Sequence, residues 1–221
     1  MEPLSSMTRR LALDAAPDVD QDIKLFFQSE FDEIKKSRPS LPPTWPEQSD
    51  LDRLVHKSSG LFIYATMIIK YINSPFHRPT DRLLDVINGD SRFDSGLDGL
   101  YMQIFSAVEN INIALEILSL LLLRRTDMKI TPQLLEDLFF LHDGEIYFLL
   151  HDLHSIVEIS DSASSVIRLL HPSLGDFLFD PSQSGRYFID MDSAHANLTQ
   201  HFLNHLSKKH SSTSNGIIFH T

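Results

Sequence analysis

The sequence predicts a mainly α-helical protein in which a helical domain is followed by a winged-helix domain with one small β-hairpin. Three observations carry this expectation. The stretch 19–37, VDQDIKLFFQSEFDEIKKS, sets Ile23, Phe26, Phe27, Phe31 and Ile34 on one helical face with charges opposite. The stretch 61–72, LFIYATMIIKYI, is apolar nearly all round, the pattern of a helix buried between neighbours. Further on, IVEIS at 156–160 and SVIRLLH at 165–171 read as two strands around a polar turn, DSASS. A helix pair, a third helix and then a hairpin is the order of a winged helix.

The elements follow in turn. In the first helix the acidic residues come early and the lysines late, which suits the helix dipole. RPSLPPTWP at 38–46 stops it, because proline cannot continue a helix. Residues 49–58 form a short helix with Ser49 or Asp50 as cap, and Ser59-Gly60 breaks it before the buried helix. SPFHRP at 74–79 is another break, TDRLLDVIN at 80–88 another short helix, and GDSRFDSGLDG at 89–99 a turn-rich linker. LYMQIFSAVEN and INIALEILSLLLLRR are helices. KITPQLLEDLFF at 129–140 starts a new one with Thr131 as cap and Pro132 at its first position. DGEIYFLLHDLHS at 143–155 reads as a third helix, and SAHANLTQHFLNHLSKK at 193–209 as the last, before a polar tail. The expected organisation is a tail at 1–18, a helical domain at 19–90, a winged-helix domain at 91–180, a C-terminal helical segment at 181–209 and a polar tail at 210–221. No internal repeat is found.

Composition excludes several functions. The chain has 221 residues, 42 % of them hydrophobic, so it can bury a substantial core. Its net charge of −11 argues against a nucleic-acid binder, which needs a basic face, and against docking on an anionic membrane. With no cysteine there are no disulfides, thiolate zinc sites or cysteine nucleophiles. The longest apolar run, Ile117 to Leu123 with Ser119 inside it, is too short to span a bilayer. MEPLSSMTRRLALD lacks the apolar region of a secretory signal. A cytoplasmic protein is expected.

Catalytic motifs are absent. There is no G-x-x-x-x-G-K-[ST] phosphate loop, no G-x-G-x-x-G, no G-x-S-x-G and no H-E-x-x-H. The chain is therefore not expected to be an enzyme. Among its eleven histidines, His201 and His205 stand four apart and His151 and His154 three apart, but neither pair has a third ligand in sequence. Surface histidines, and no metal site, are the expectation. Glu136 and Asp137 fit a solvated helix face.

His171 has a setting with a mechanism. It stands where the second strand ends, before Pro172 at the first position of a further helix. There it takes the cap position, and the N–H groups of Ser173, Leu174 and Gly175 are expected to lack partners and face outward. Two readings follow: a capping histidine, or a donor beside an anion site at the positive end of the helix. Asp176 in the first turn competes with the second.

RLLHPSLGDFLFD resembles the histidine motif of the winged-helix domain in NACHT-family signalling ATPases of the STAND class. That motif is a hydrophobic pair, His, any residue, Ser/Thr-Phe, an acidic residue and Phe. VDQDIKLFFQSEFDEIKK and WPEQSDLDRLVHKSSGLFIYATMIIKYI are similar to the segment after the ATPase core in large fungal NACHT proteins, and LDGLYMQIFSA is similar to their linker into the winged helix. The resemblance spans residues 19–205. It implies a winged helix whose histidine, here His171, contacts the β-phosphate of bound ADP and holds the closed, inactive state. The Gly-x-Pro motif near the adenine aligns with Gly60, Leu61 and Phe62, with Phe62 in place of proline. Leu174 stands where Phe is usual, and Gly175 precedes Asp176.

No Walker motif precedes residue 19, so the expectation is the non-catalytic, nucleotide-sensing part of such a protein: a truncated gene model, a degenerate copy or a fragment. It binds no cofactor by itself, and ADP or ATP only when joined to a P-loop ATPase domain in cis or trans. Self-association is the other expected contact, with no nucleic acid and no membrane. A stand-alone interaction scaffold is the alternative. A winged-helix DNA reader is a third, opposed by Asp143, Glu145 and Asp152 and by the lack of Lys or Arg in 143–155.

Overall fold

A computed structural model of the chain describes residues 19–89, 96–124, 128–160 and 165–214, with side chains through Lys208. The expected tail at 1–18, most of the 89–99 linker, the polar turn at 161–164 and the end of the polar tail lie outside these residues. The described chain is mainly helical, with one two-stranded antiparallel sheet.

The amphipathic pattern at 19–37 becomes α1 (Val19–Ser37), which buries Ile23, Phe27, Phe31 and Ile34. Phe26 is only half-buried. The proline-rich stop folds back, and Trp45 meets the Phe31 ring edge-on at 5.2 Å. An aromatic pair in that geometry adds to the simple burial of its area. Helix α2 (Gln48–Ser58) starts one residue earlier than expected, with Glu47 as cap in place of Ser49 or Asp50. Asp50 supports that cap instead: its carboxylate accepts the Glu47 backbone N–H at 3.1 Å, which satisfies a donor the helix leaves over. Ser59 and Gly60 end α2 in left-handed backbone, at φ 47° and 76°. Gly60 reaches that region at no steric cost.

Helix α3 (Phe62–Ile72) is buried along Tyr64, Ala65, Met67, Ile68, Ile69, Tyr71 and Ile72, as its all-round apolarity predicts. It packs against α1, α2, α4 (Pro79–Asn88) and α5 (Leu97–Ser106). Helix α6 (Ile111–Leu123) follows, then α7 (Pro132–Phe139), whose cap is Thr131: its hydroxyl accepts the Leu134 N–H at 3.1 Å. The third helix expected at 143–155 is shorter. It is α8 (Glu145–Leu149) followed by one 3₁₀ turn, His151–Leu153. Leu150 and Leu153 are buried there, so the chain turns inward instead of extending.

Strands β1 (Val157–Ile159) and β2 (Ile167–Leu169) pair antiparallel, with Val157 opposite Leu169 and Ile159 opposite Ile167. The Ile167 N–H also donates to the Ile130 carbonyl at 2.8 Å, which docks the segment before α7 beside β2. Helix α9 (Ser173–Phe179) buries Leu174, Phe177 and Leu178. A Cβ on Gly175 would stand 3.1 Å from the Leu122 side chain, so glycine there permits the close approach of α9 to α6. Short α10 (Pro181–Ser184) and long α11 (Met191–Ser214) complete the fold. Helix α11 packs on α6 and α7. One hydrophobic core runs from Ile23 to Leu198.

Candidate functional site

Two polar constellations stand out, one expected and one not. The first is the turn from β2 into α9. Pro172 occupies the N-cap of α9 and is already helical in backbone, at φ −67° and ψ −30°. His171, one residue earlier, performs the capping: its Nδ1 accepts the Ser173 N–H at 3.2 Å and lies 2.5 Å from Ser173 Oγ. Leu174 N–H donates to the His171 carbonyl at 3.4 Å, and Gly175 N–H to the Pro172 carbonyl at 3.0 Å. All three amides expected to face outward thus have intrachain acceptors, and the anion site made of free N–H groups is not formed. The reason is local: after Pro172 the chain enters the helix through tight i to i+3 turns, which use up the first amides.

The ring itself remains informative. Ser173 Oγ lies 2.9 Å from the Tyr101 hydroxyl, so Tyr101, Ser173 and His171 form a chain of hydrogen bonds. A backbone N–H only donates, so Nδ1 is the acceptor and the proton of the neutral ring belongs on Nε2. The Nε2–H has no hydrogen-bond partner among the described residues. Burial holds the Tyr101 hydroxyl above its ordinary pKa, opposed by its bond to Ser173, so it stays protonated and keeps the chain oriented.

Gly60 and Phe62 lie at the start of α3, beside α1. Phe62 is 44 % exposed and meets the Phe26 ring edge-on at 6.0 Å. None of His171, Gly60 and Phe62 lines the cavity of about 450 Å³ bordered by Lys57, Tyr64, Met102, Gln103, Arg186 and Tyr187.

The second constellation joins the two halves of the chain. Arg82 of α4 is buried and donates to Asp152 Oδ1 at 3.1 Å. It also donates to the Tyr71 hydroxyl, and its guanidinium carbon lies 4.4 Å from the Tyr71 ring centroid. Its Nε is buried without a partner. The same NH2 group stands 3.1 Å from His77 Nδ1 and 2.8 Å from His77 Nε2. Near-equal distances to both ring nitrogens place it over the imidazole face, away from either in-plane lone pair.

His77 Nε2 lies 3.5 Å from Asp152 Oδ1, and His151 Nε2 lies 3.3 Å from Asp152 Oδ2. The two imidazoles are stacked, 6.0 Å between centroids and 9° from parallel. Each ring's other nitrogen meets an oxygen: His77 Nδ1 meets Ser74 Oγ at 3.1 Å, and His151 Nδ1 meets the Phe148 carbonyl. Arg38 fixes the loop that carries His77, donating to the Ser74 carbonyl at 2.8 Å and the His77 carbonyl at 3.3 Å. Burial, then the Arg82 charge, holds His77 below the usual histidine range.

His154 is not part of this cluster's rim. Its ring lies between the Lys70 and His151 carbonyls, at 2.7 and 2.8 Å, and burial lowers its pKa. The neutral ring donates to only one of those carbonyls. His201 and His205 also separate: His201 meets Glu116 at 3.0 Å, and His205 meets the Asp137 carbonyl at 3.2 Å. Glu136 departs from the solvated face expected for it. It is buried, and its carboxylate accepts the Gly144 and Ile146 N–H groups at 2.8 and 3.3 Å, organising the start of α8.

Sequence reasoning paired His151 with His154, whereas the fold pairs His151 with His77, 74 positions away. The one local signal was His151-Asp152 side by side. No protein family, curated protein or solved structure matches the chain.

Proposed function

We propose that this chain is the non-catalytic, nucleotide-state-sensing portion of a NACHT-type signal-transduction ATPase, a helical unit followed by a winged helix. The reading is supported by element order: α6, the Ile130 segment docked on β2, α7, α8, then the β1–β2 hairpin. The observation that carries it is the state of His171. Tyr101 and Ser173 orient the ring so that Nδ1 accepts and Nε2–H is left without a partner among the described residues. One imidazole N–H aimed at a diphosphate is the contact a closed, ADP-bound state requires. The partner is a P-loop ATPase domain in cis or in trans, which supplies the nucleotide site.

Binding energy biases such a switch only through its difference between the two states. One hydrogen bond to a charged group contributes about 1.5–3 kcal/mol, a factor of about ten to a hundred in ADP retention. In the chain joined to its ATPase domain, His171→Ser should speed ADP release by that factor and raise the oligomeric fraction. Unchanged ADP retention and unchanged oligomerisation in a folded variant would refute the assignment.

A second reading, a stand-alone interaction scaffold, is favoured by the exposure of Leu61 and Phe62, at 43 % and 44 %. It predicts a defined protein partner and no response to ADP in any context.

A further inference from the structure

We propose that His77, His151 and Asp152 form a binding site for one divalent transition-metal ion, zinc being the best match, which staples the helical half of the chain to the hairpin half. Two imidazoles and a carboxylate are a donor set zinc takes readily, with the fourth position left to water or an incoming ligand. Around a tetrahedral ion with bonds of about 2.0–2.1 Å, neighbouring donors lie about 3.3–3.4 Å apart. His77 Nε2 lies 3.5 Å from Asp152 Oδ1 and His151 Nε2 lies 3.3 Å from Asp152 Oδ2, and one donor atom from each of the three residues lies within 4.8 Å of the other two.

The surroundings are those of a built site. A metal-binding histidine characteristically gives its second ring nitrogen to a carbonyl, carboxylate or water, which fixes the ring and the coordinating nitrogen. Here His151 Nδ1 is tied to the Phe148 carbonyl and His77 Nδ1 to Ser74 Oγ, so both Nε2 atoms face the carboxylate. Asp152 is 8 % exposed, and Arg82 holds it from one side through Oδ1, leaving Oδ2 toward His151. The imidazoles are about one-third exposed, 32 % and 30 %, so an ion can enter from solvent.

Arg82 is the opposing element, since its charge repels a cation. Two features limit this. It lies over the His77 face and not on the Nε2 lone pair. It also has a second carboxylate, Asp85, at 4.0 Å.

The functional consequence follows from where the ligands sit. His77 is in the α3–α4 connection and the other two are in the turn after α8, so a bound ion crosslinks segments 74 residues apart. The inference does not depend on a nucleotide role for His171.

The test is titration of the whole chain with Co²⁺, read by its visible ligand-field bands, with Zn²⁺ as competitor and thermal melting alongside. One equivalent with tetrahedral-type bands is expected, displaced by Zn²⁺, and melting should rise with metal concentration. His77→Gln and His151→Gln should each weaken binding at least tenfold, while His201→Gln and His205→Gln should not. Absence of a one-to-one complex overturns the proposal, as does full affinity in both cluster variants or a loss that follows His201 or His205. If a cluster variant melts early, protection of His77 and His151 in the unaltered chain from diethyl pyrocarbonate by Zn²⁺ reads the same site. Unprotected rings then overturn it.

Discussion

Replacing Asp152 by Asn takes from a buried guanidinium its closer counter-charge and leaves it only the exposed Asp85 carboxylate at 4.0 Å. The side chains of Arg82 and Asp152 are 6 % and 8 % exposed, so solvent does little to screen either. Removing one member of a buried ion pair costs about 3–5 kcal/mol, because the other charge stays desolvated. The Asn carbonyl still accepts one hydrogen bond from Arg82, and the Tyr71 ring face and hydroxyl remain. These contacts place the expected cost at the low end, about 3 kcal/mol. In a domain of this size, about 2–4 °C per kcal/mol converts that to a melting point about 6–12 °C lower. The assay is urea unfolding followed by far-UV dichroism, with the slope checked for constancy. The double replacement Arg82→Met with Asp152→Leu removes both charges and should return to within about 1 kcal/mol of the parent, or exceed it. A loss under about 0.5 kcal/mol in Asp152→Asn, the size of an ordinary surface change, would refute the claim that this pair holds the halves together.

Two other predictions follow from the caps. Glu136→Ala strands the Gly144 and Ile146 amides, one of them buried, and should cost about 1–3 kcal/mol, while Glu136→Gln keeps an acceptor and should cost less. Urea midpoints of the two variants distinguish this from a solvated surface carboxylate, for which both would be silent. Asp180 and Asp190 have pKa values held below the ordinary carboxylate value, chiefly by hydrogen bonds from Ser182 and Ser193. In the window between the folded and unfolded values the unfolded chain binds more protons. The contribution is therefore complete above the unfolded value of 3.8 and is lost as pH falls through the folded one. Melting points of Asp180→Asn and Asp190→Asn should converge on the parent below that window; a constant offset down the acid limb would contradict it.

Much of the fold was legible because short-range physics sets it. The face of α1 at Ile23, Phe27, Phe31 and Ile34 follows from 3.6-residue spacing, and the Thr131-Pro132 start of α7 from cap chemistry. The β1–β2 pair was visible as two apolar stretches about a polar turn. The errors have equally local causes. The cap of α2 moved to Glu47 because Asp50 turned back to satisfy its amide. The helix expected at 143–155 broke into α8 and a 3₁₀ turn because Leu150 and Leu153 are drawn into the core.

His171 shows the boundary between the two kinds of information. The sequence by itself placed a histidine and a proline between a strand and a helix, and left open whether that histidine caps the helix or contacts an anion. The amides behind it are taken up by local turns around Pro172, and only the tertiary structure decided that Tyr101, 72 residues from Ser173, orders the ring through it. The His77, Arg82, Asp152 and His151 cluster lies wholly on the tertiary side. No periodicity links a loop after α3 to a turn after α8; the two meet because α3 and α5 bury their apolar faces together and bring the turn after α8 against α5. The apolar residues determined which elements form, and the packing of those elements decided which polar groups share a site.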